Sequence, residues 1–450
     1  MELFAETVLT SQGWLENVAL TITNGRIATL AADSKPAPNA ERHAILVPAI
    51  ANLHSHAFQR AMAGRTERRG ASSDSFWTWR EEMYRFALTM SPDDVEAVAT
   101  LLYVEMIEAG FCRVGEFHYL HHAPDGSPYD TLAEMAGRIA AAASTSGIGL
   151  TLLPVFYAHA SFGGVAPVAN QRRFINGLER FEKLLSQSAQ VLNKLANANI
   201  GIAPHSLRAV TPDELAALTT MAGSRPFHIH ISEQVKEVQD CLAWSGARPV
   251  EWLLANAQVQ PNWCLIHATH MSDAEYQGVA NSGAVVGLCP ITESNLGDGI
   301  FDGERFIGHG GAFGVGSDSN VQIDLAGELR QFEYSQRLGF KSRNVIASAN
   351  GSTGRALFDG ALKGGQQALG LSQGGIAIGQ QADFISLDRN QSALFEMSGD
   401  QILDAWIFSG QRCVDCVWVA GKKLVTNGRH HLRDDATGRY KQAMKKLVSQ

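Results

Sequence analysis

The chain has no dense run of basic residues, and its formal net charge is −8. That balance argues against a nucleic-acid surface and leaves any anionic ligand to be met by positive charge placed locally. It also lacks any apolar stretch near the roughly 18 residues that span a membrane. The opening Met1-Glu2-Leu3-Phe4-Ala5-Glu6 has neither the basic region nor the apolar core of a secretory signal. These absences point to a cytoplasmic protein with no membrane partner. A disulfide framework is missing too: the six cysteines are scattered at 112, 241, 264, 289, 413 and 416, which suits a reducing compartment. Cys413-Val414-Asp415-Cys416 is a lone Cys-x-x-Cys in a segment that reads as a strand. Its two thiols then face opposite sides, which weighs against a redox pair or a zinc clamp.

What is present is ordinary in composition and unusual in rhythm. The 450 residues, 45% hydrophobic and 18% charged, exceed one typical core, so one large domain and a smaller one are expected. Near the N-terminus, Val18, Leu20 and Ile22 alternate with polar or small residues, and Asn24-Gly25 marks a two-residue hairpin turn before Arg26. From about residue 45, short apolar runs recur at 45–53, 111–117, 149–156, 199–204, 226–231, 263–268, 284–289 and 312–317. Helical patterns separate them, two opened by Ser91-Pro92-Asp93-Asp94 and Thr211-Pro212-Asp213-Glu214. Eight strands alternating with helices predict an α/β chain with a closed (β/α)8 TIM-like barrel over 46–371. An open doubly wound sheet is the alternative, but no Gly-x-Gly-x-x-Gly follows the first strand. After about 370 the alternation stops. Residues 374–379, 382–388 and 414–421 read as strands and turns, and 435–449 as a terminal helix. Residues 1–45 and 372–450 therefore form a smaller, discontinuous β-sandwich domain.

In such a barrel, functional side chains gather at the C-terminal ends of the strands. His54 and His56 end the first, within Asn52-Leu53-His54-Ser55-His56. His228, His230 and Glu233 end the fifth, His267 the sixth and Asp318 the eighth. Imidazoles and a carboxylate suit zinc or another divalent first-row ion.

This set resembles the amidohydrolase superfamily and, within it, the mononuclear zinc deaminases. The resemblance covers nearly the whole chain, and Gln381-Ala382-Asp383-Phe384 is similar to the family's closing strand. It implies one Zn2+ per subunit, ligated by His54, His56, His230 and Asp318. His230 is preferred over His228 because the family's His-x-x-Glu is met by His230 and Glu233. Many binuclear relatives end the fourth strand with a lysine; here Ala203-Pro204-His205 stands there, which favours a single ion. The implied catalytic residues are Asp318, taking the proton of the activated water, Glu233, handing a proton to the leaving nitrogen, and His267, hydrogen-bonding the attacking water. A homodimer is implied as well.

Longer stretches, 52–64, 75–81, 116–119 and 205–212, are similar to one subgroup. Its members hydrolyse N-formimino-L-glutamate to N-formyl-L-glutamate and ammonia in histidine degradation. The resemblance makes Gln59, Arg80, Tyr119, His205 and Arg208 substrate contacts, with Arg80 on a long loop. The chemistry agrees, because a small dianionic amino-acid derivative needs planar cationic donors that meet carboxylates bidentately. An aminopurine or pterin deaminase on the same scaffold would want aromatic stacking and amide donors in place of the arginines. A non-catalytic metal-binding barrel would need neither Glu233 nor His267. Trp77-Thr78-Trp79 reads as pocket wall or packing, His121 and His122 as solvated beyond their strand, and 292–299 as a loop that shapes the pocket.

Overall fold

The computed structural model describes residues 1–69 and 76–449. The chain opens with strands β1 (Glu2–Thr10), β2 (Gly13–Thr23), β3 (Arg26–Ala31) and β4 (Glu41–Pro48). The hairpin joining β2 to β3 turns at Asn24 and Gly25, with φ of +50° and +77°, the two left-handed positions that match strand twist. The run 45–53, expected as one strand, is two. Pro48 has no N–H to continue the ladder, so β4 ends there and β5 (Ile50–Ser55) begins in a different sheet. Apolar periodicity records burial, not sheet membership.

The strands that follow are parallel: β6 (Phe111–His118), β7 (Gly149–Phe156), a broken fourth position made of β8 (Ala198–Ile200) and β9 (Ala203–Pro204), then β10 (Phe227–Ile231), β11 (Trp263–His267), β12 (Val285–Leu288) and β13 (Ala312–Val315). They form two sheets, β5 to β9 and β10 to β13. Parallel bridges join these at both seams, Ile202 to Phe227 and Ser206 to His230 on one side, Ser55 to Asp318 on the other. The ring so made has helices outside. Ser91 and Thr211 cap two of them, with reciprocal bonds to Asp94 and Glu214, at the starts their Pro-Asp sequences predict. The C-terminal end of the helix Thr353–Ala368 meets the ring, where Leu369 O accepts from Asn199 Nδ2 at 2.8 Å and Ala368 O from His228 Nε2 at 2.8 Å.

Strands β14 (Phe384–Leu387), β15 (Val414–Val419), β16 (Lys422–Thr426) and β17 (Arg429–His430) join β1–β4 in one eight-stranded sheet, ordered β17-β16-β15-β14-β4-β1-β2-β3. All its pairs are antiparallel except β1 with β4. The sheet has its own apolar cluster, which includes Leu3, Val8, Val18, Leu20, Leu46, Phe384 and Trp418. Its two hairpin tips meet: a Cβ on Gly25 would sit 2.8 Å from Ala420 O. Residues 374–379, in the stretch read as strands and turns, take the turns and form no strand; Gly374, Gly375 and Gly379 leave little side chain to pack on a pleated surface.

Candidate active site

The ends of β5, β10 and β13 bring four side chains to one point. His54 Nε2 lies 3.2 Å from His56 Nε2, 3.0 Å from His230 Nε2 and 3.4 Å from Asp318 Oδ1. Asp318 Oδ1 is 3.2 Å from His56 Nε2, and all four ligand atoms fall within 4.8 Å of one another. A tetrahedral ion with arms of about 2.1 Å sets its ligand atoms roughly 3.4 Å apart, so the cluster has the size of a zinc site. The tautomers agree. His56 Nδ1 donates to Phe117 O at 3.0 Å and His230 Nδ1 to His205 O at 2.9 Å. A carbonyl can only accept, so both Nε2 atoms turn lone pairs toward the centre. Burial lowers His54 to about 3 and His230 well below its ordinary value, so both are neutral, as ligands must be. Burial opposes ionisation of Asp318, but the hydrogen bonds with His54 and His56 hold its carboxyl well below the usual range. His228 faces the same way as His230 one layer lower, where it is spent on the Ala368 carbonyl.

Two local devices aim these groups. The register of β5 slips between Asn52 and Ser55, and Gly316 has no Cβ, which would sit 2.7–2.8 Å from His54 backbone and Cβ atoms. The loop after β13 can therefore press against β5. Asn52, Ser317 and Asn320 clasp the two: Asn52 Nδ2 donates to Ser317 Oγ at 2.6 Å, and Asn320 Nδ2 to His56 O at 3.0 Å and Asp318 O at 2.9 Å. That clasp holds Asp318 at φ +45°, a conformation seldom adopted without surrounding support.

His267 reaches the site by the same kind of distortion. Cys264 and Ile266 join the interior cluster with Leu53 and Leu369, so alternation would send His267 outward. Its φ of +66° turns it back in. There Nε2 lies 3.9 Å from Asp318 Oδ2 and 4.0 Å from Glu233 Oε1, while Nδ1 is 3.1 Å from Glu293 Oε1. Burial alone would lower His267, yet Glu293, Glu233 and Asp318 together raise it to about 10. Burial pushes the Glu233 carboxyl up, against the charges of His267 and Arg208.

Glu293 and Glu237 were not singled out by the sequence. The stretch expected to be a loop is partly a helix, Pro290–Leu296, whose first turn aims Glu293 at His267 and lets Oε1 accept from Cys289 N at 2.8 Å. Glu237 Oε2 accepts from Glu233 N at 3.0 Å and fixes that turn.

Arg80 sits in the helix Phe76–Thr89, not on a long loop. Its Nη2 donates to Tyr157 OH at 3.1 Å, and its guanidinium lies 5.3 Å from the Tyr84 ring centre. Arg208 Nη2 is 3.8 Å from Glu233 Oε2. His205 lies 4.7 Å from Tyr157 and 4.9 Å from His230 by ring centres. Burial and then the charges of Arg208 and Arg80 hold His205 well below its ordinary value. Gln59 Nε2 donates to Tyr119 OH at 2.8 Å, with the Tyr119 ring 5.1 Å from His56. All five expected substrate contacts therefore lie around the four-residue cluster. Tyr157 joins them unannounced by any motif.

Trp79 packs against the core, and Ser75 of the similar stretch lies outside the described residues. His118, His121 and His122 are all buried, not solvated; His121 and His122 bond the Val155 and Ile175 carbonyls. A cleft of about 1420 Å3 lined by Arg60, Glu105, Asp324, Arg412 and Arg433, among others, contains none of the site residues.

The amidohydrolase family model matches residues 45–424, and the model for the N-terminal domain of formimidoylglutamate deiminase HutF matches residues 2–44. A formimidoylglutamate deiminase of Pseudomonas aeruginosa is 48% identical, with 99% of each chain covered. The crystal structure of an amidohydrolase from Brucella melitensis superposes with a TM-score of 0.97 at 56% identity, covering 99% of each chain. A zinc-bound adenosine deaminase from Xanthomonas campestris shares the fold at 20% identity, with a TM-score of 0.84 over 100% of this chain and 98% of its own. The chain belongs to the amidohydrolase family.

Proposed function

We propose that this enzyme converts N-formimino-L-glutamate and water to N-formyl-L-glutamate and ammonia, as a step of histidine degradation. The observation that carries this reading is the pair Arg80 and Arg208, both near enough for their charges to act on His205, beside the cluster His54, His56, His230 and Asp318. An amidine bearing two carboxylates needs both parts: cations for the carboxylates and hydrolytic machinery for the C=N bond. The Pseudomonas relative, named a formimidoylglutamate deiminase, supports the same substrate.

His54, His56, His230 and Asp318 would hold one Zn2+ per subunit. When bound there, the ion supplies hydroxide at neutral pH by lowering the pKa of a water toward about 7. The remaining work belongs to side chains. Arg80 and Arg208 seat the substrate carboxylates, with Gln59, Tyr119 and His205 adding donors around the formimino group. Asp318 Oδ2 takes a proton from the attacking water. His267, doubly protonated and anchored through Nδ1, donates from Nε2 to the oxygen that adds to the amidine carbon. Glu233, whose carboxyl burial keeps protonated more readily than usual, delivers its proton to the departing nitrogen. Asp318 passes the proton it took to the same nitrogen, and Glu233 regains one from the added hydroxyl as the C–N bond breaks, so ammonia leaves, the formyl oxygen remains and both carboxyl groups are restored. The same reading makes the enzyme a cytoplasmic homodimer; among the described residues no helix is long and apolar enough to cross a membrane.

The test offers the purified, zinc-loaded enzyme N-formimino-L-glutamate beside an aminopurine and a pterin, and measures ammonia. Release from the formimino compound alone supports the assignment. Release from a ring amine and none from the formimino compound replaces it with the nearest rival.

A further inference from the structure

The eight-stranded sheet carries a second cluster with metal-ligand chemistry, in a different sheet from the strands that bear His54, His230 and Asp318. Glu41 and His43 lie on β4 and Cys416 on β15, and one ligand atom from each falls within 4.8 Å of the others. These two strands flank β14 on opposite sides, so the cluster ties an element from the beginning of the chain to one from its end. We propose that Glu41, His43 and Cys416 form a second cation site, for zinc or a similar thiolate-preferring divalent ion.

The donor set suits that class. A thiolate, an imidazole and a carboxylate are the three protein ligands of zinc. His43 Nε2 is already 3.1 Å from Glu41 Oε1, close to a tetrahedral edge. Cys416 is buried at 3% exposure, and its thiol is turned toward Asp415 Oδ2 at 3.3 Å. The strand around the cysteine is fixed, since Cys416 N donates to Ser386 Oγ at 3.0 Å. Lys423 Nζ pairs with Glu41 Oε1 and lies 5.8 Å from the Trp418 ring centre. An ion would compete with Lys423 for that carboxylate. When an ion binds, Lys423 swings from Glu41 toward the second carboxylate, Asp415. The charges then balance: two from the ion and one from Lys423 against Cys416, Glu41 and Asp415. Burial holds His43 below its ordinary value, so its ring is ready to ligate. Burial pushes the Cys416 thiol up to about 11, so loading near neutral pH must release a proton. The Cys-x-x-Cys motif thus divides: Cys416 joins the cluster, and Cys413 does not.

Such a site is a staple. It would stabilise the sheet by binding only the folded arrangement of strands that meet from both chain ends. Its thiolate gives a spectroscopic signature that the cluster of His54, His56, His230 and Asp318 lacks, and Cys416→Ser separates it from Cys289, which lies beside His267 and Glu293. The test titrates metal-free protein with Co2+ and follows thiolate-to-cobalt charge-transfer absorption in the near ultraviolet, together with Tm. A band that grows with a second equivalent, accompanied by a rise in Tm, is the expected result. Cys416→Ser should abolish the band, and His43→Asn, a milder change at a less buried group, should weaken binding of the second equivalent at least tenfold. Both variants should still take up the first equivalent. No charge-transfer band with excess Co2+, or an undiminished band in Cys416→Ser, overturns the proposal.

Discussion

His267 Nδ1 lies 3.1 Å from Glu293 Oε1, and this contact joins two residues from different barrel positions that the backbone alone would not aim at each other. Glu293 reaches His267 from the first turn of a helix, and His267 reaches the site through a left-handed backbone. The orientation of Nε2 therefore rests on Glu293. Glu293→Gln should lower kcat by about 10- to 100-fold while leaving KM and bound metal nearly unchanged. Steady-state kinetics with metal analysis on the same sample checks this; a fall in metal content equal to the fall in activity would assign Glu293 to holding the site together instead.

The two arginines predict a different kinetic signature. Losing one charge-assisted carboxylate contact costs about 1.5–3 kcal/mol, so Arg80→Met and Arg208→Met should each reduce kcat/KM roughly 10- to 150-fold. The loss should be larger on the dianionic substrate than on an analogue with one carboxyl amidated. Equal losses on both compounds would mean that the arginine shapes the pocket without meeting a carboxylate. Arg208 also faces Glu233, so its variant should show a lower kcat where Arg80→Met shows chiefly a higher KM.

Gly316 gives a packing prediction. A methyl group there would overlap His54 backbone and Cβ atoms at 2.7–2.8 Å. Gly316→Ala should destabilise the protein by about 1–3 kcal/mol and weaken metal binding more than a substitution of similar cost elsewhere in the core. Tm and zinc affinity, measured together, separate the two effects.

Stability should also depend on pH through Glu116. Burial raises this carboxyl from 4.5 to about 7, although Ala57 N donates to it at 2.7 Å and Tyr103 OH at 3.1 Å, and His56 lies near. Between those two values the folded state holds a proton that the unfolded state has released. Stability of the metal-free protein therefore falls as pH rises across that window, by up to about 1.4 kcal/mol per unit from this group, and the dependence ends above the folded value. Glu116→Gln should flatten that part of a Tm-against-pH curve relative to wild type.

Much of the site was legible because barrel chemistry collects at strand ends, and apolar runs mark where strands end. His54, His56 and Asp318 stand at such ends, and their convergence follows from ring geometry. Alternation alone could not choose between His228 and His230, which share a face; depth in the barrel separates them, and the spacing to Glu233 marked the upper one. His267 is the opposite case, since period two would point it away and only its backbone turn brings it in. Glu293 and Tyr157 left no signal, because each acts through a contact between segments far apart in sequence. The merged run at 45–53 shows the corresponding limit for the fold: two buried strands in different sheets look like one. The helix carrying Arg80 was expected as loop because its aromatic cluster, Phe76 to Trp79, masked the helical spacing of Met83, Tyr84 and Ala87.

The proposed reaction needs one ion that His54, His56, His230 and Asp318 would share. Titrating metal-free enzyme with Zn2+ while measuring ammonia released from N-formimino-L-glutamate tests both. Activity should be absent without metal, rise in proportion to added zinc and level off at one equivalent per chain. Full ammonia release from rigorously metal-free protein, or none at any zinc concentration, would contradict it.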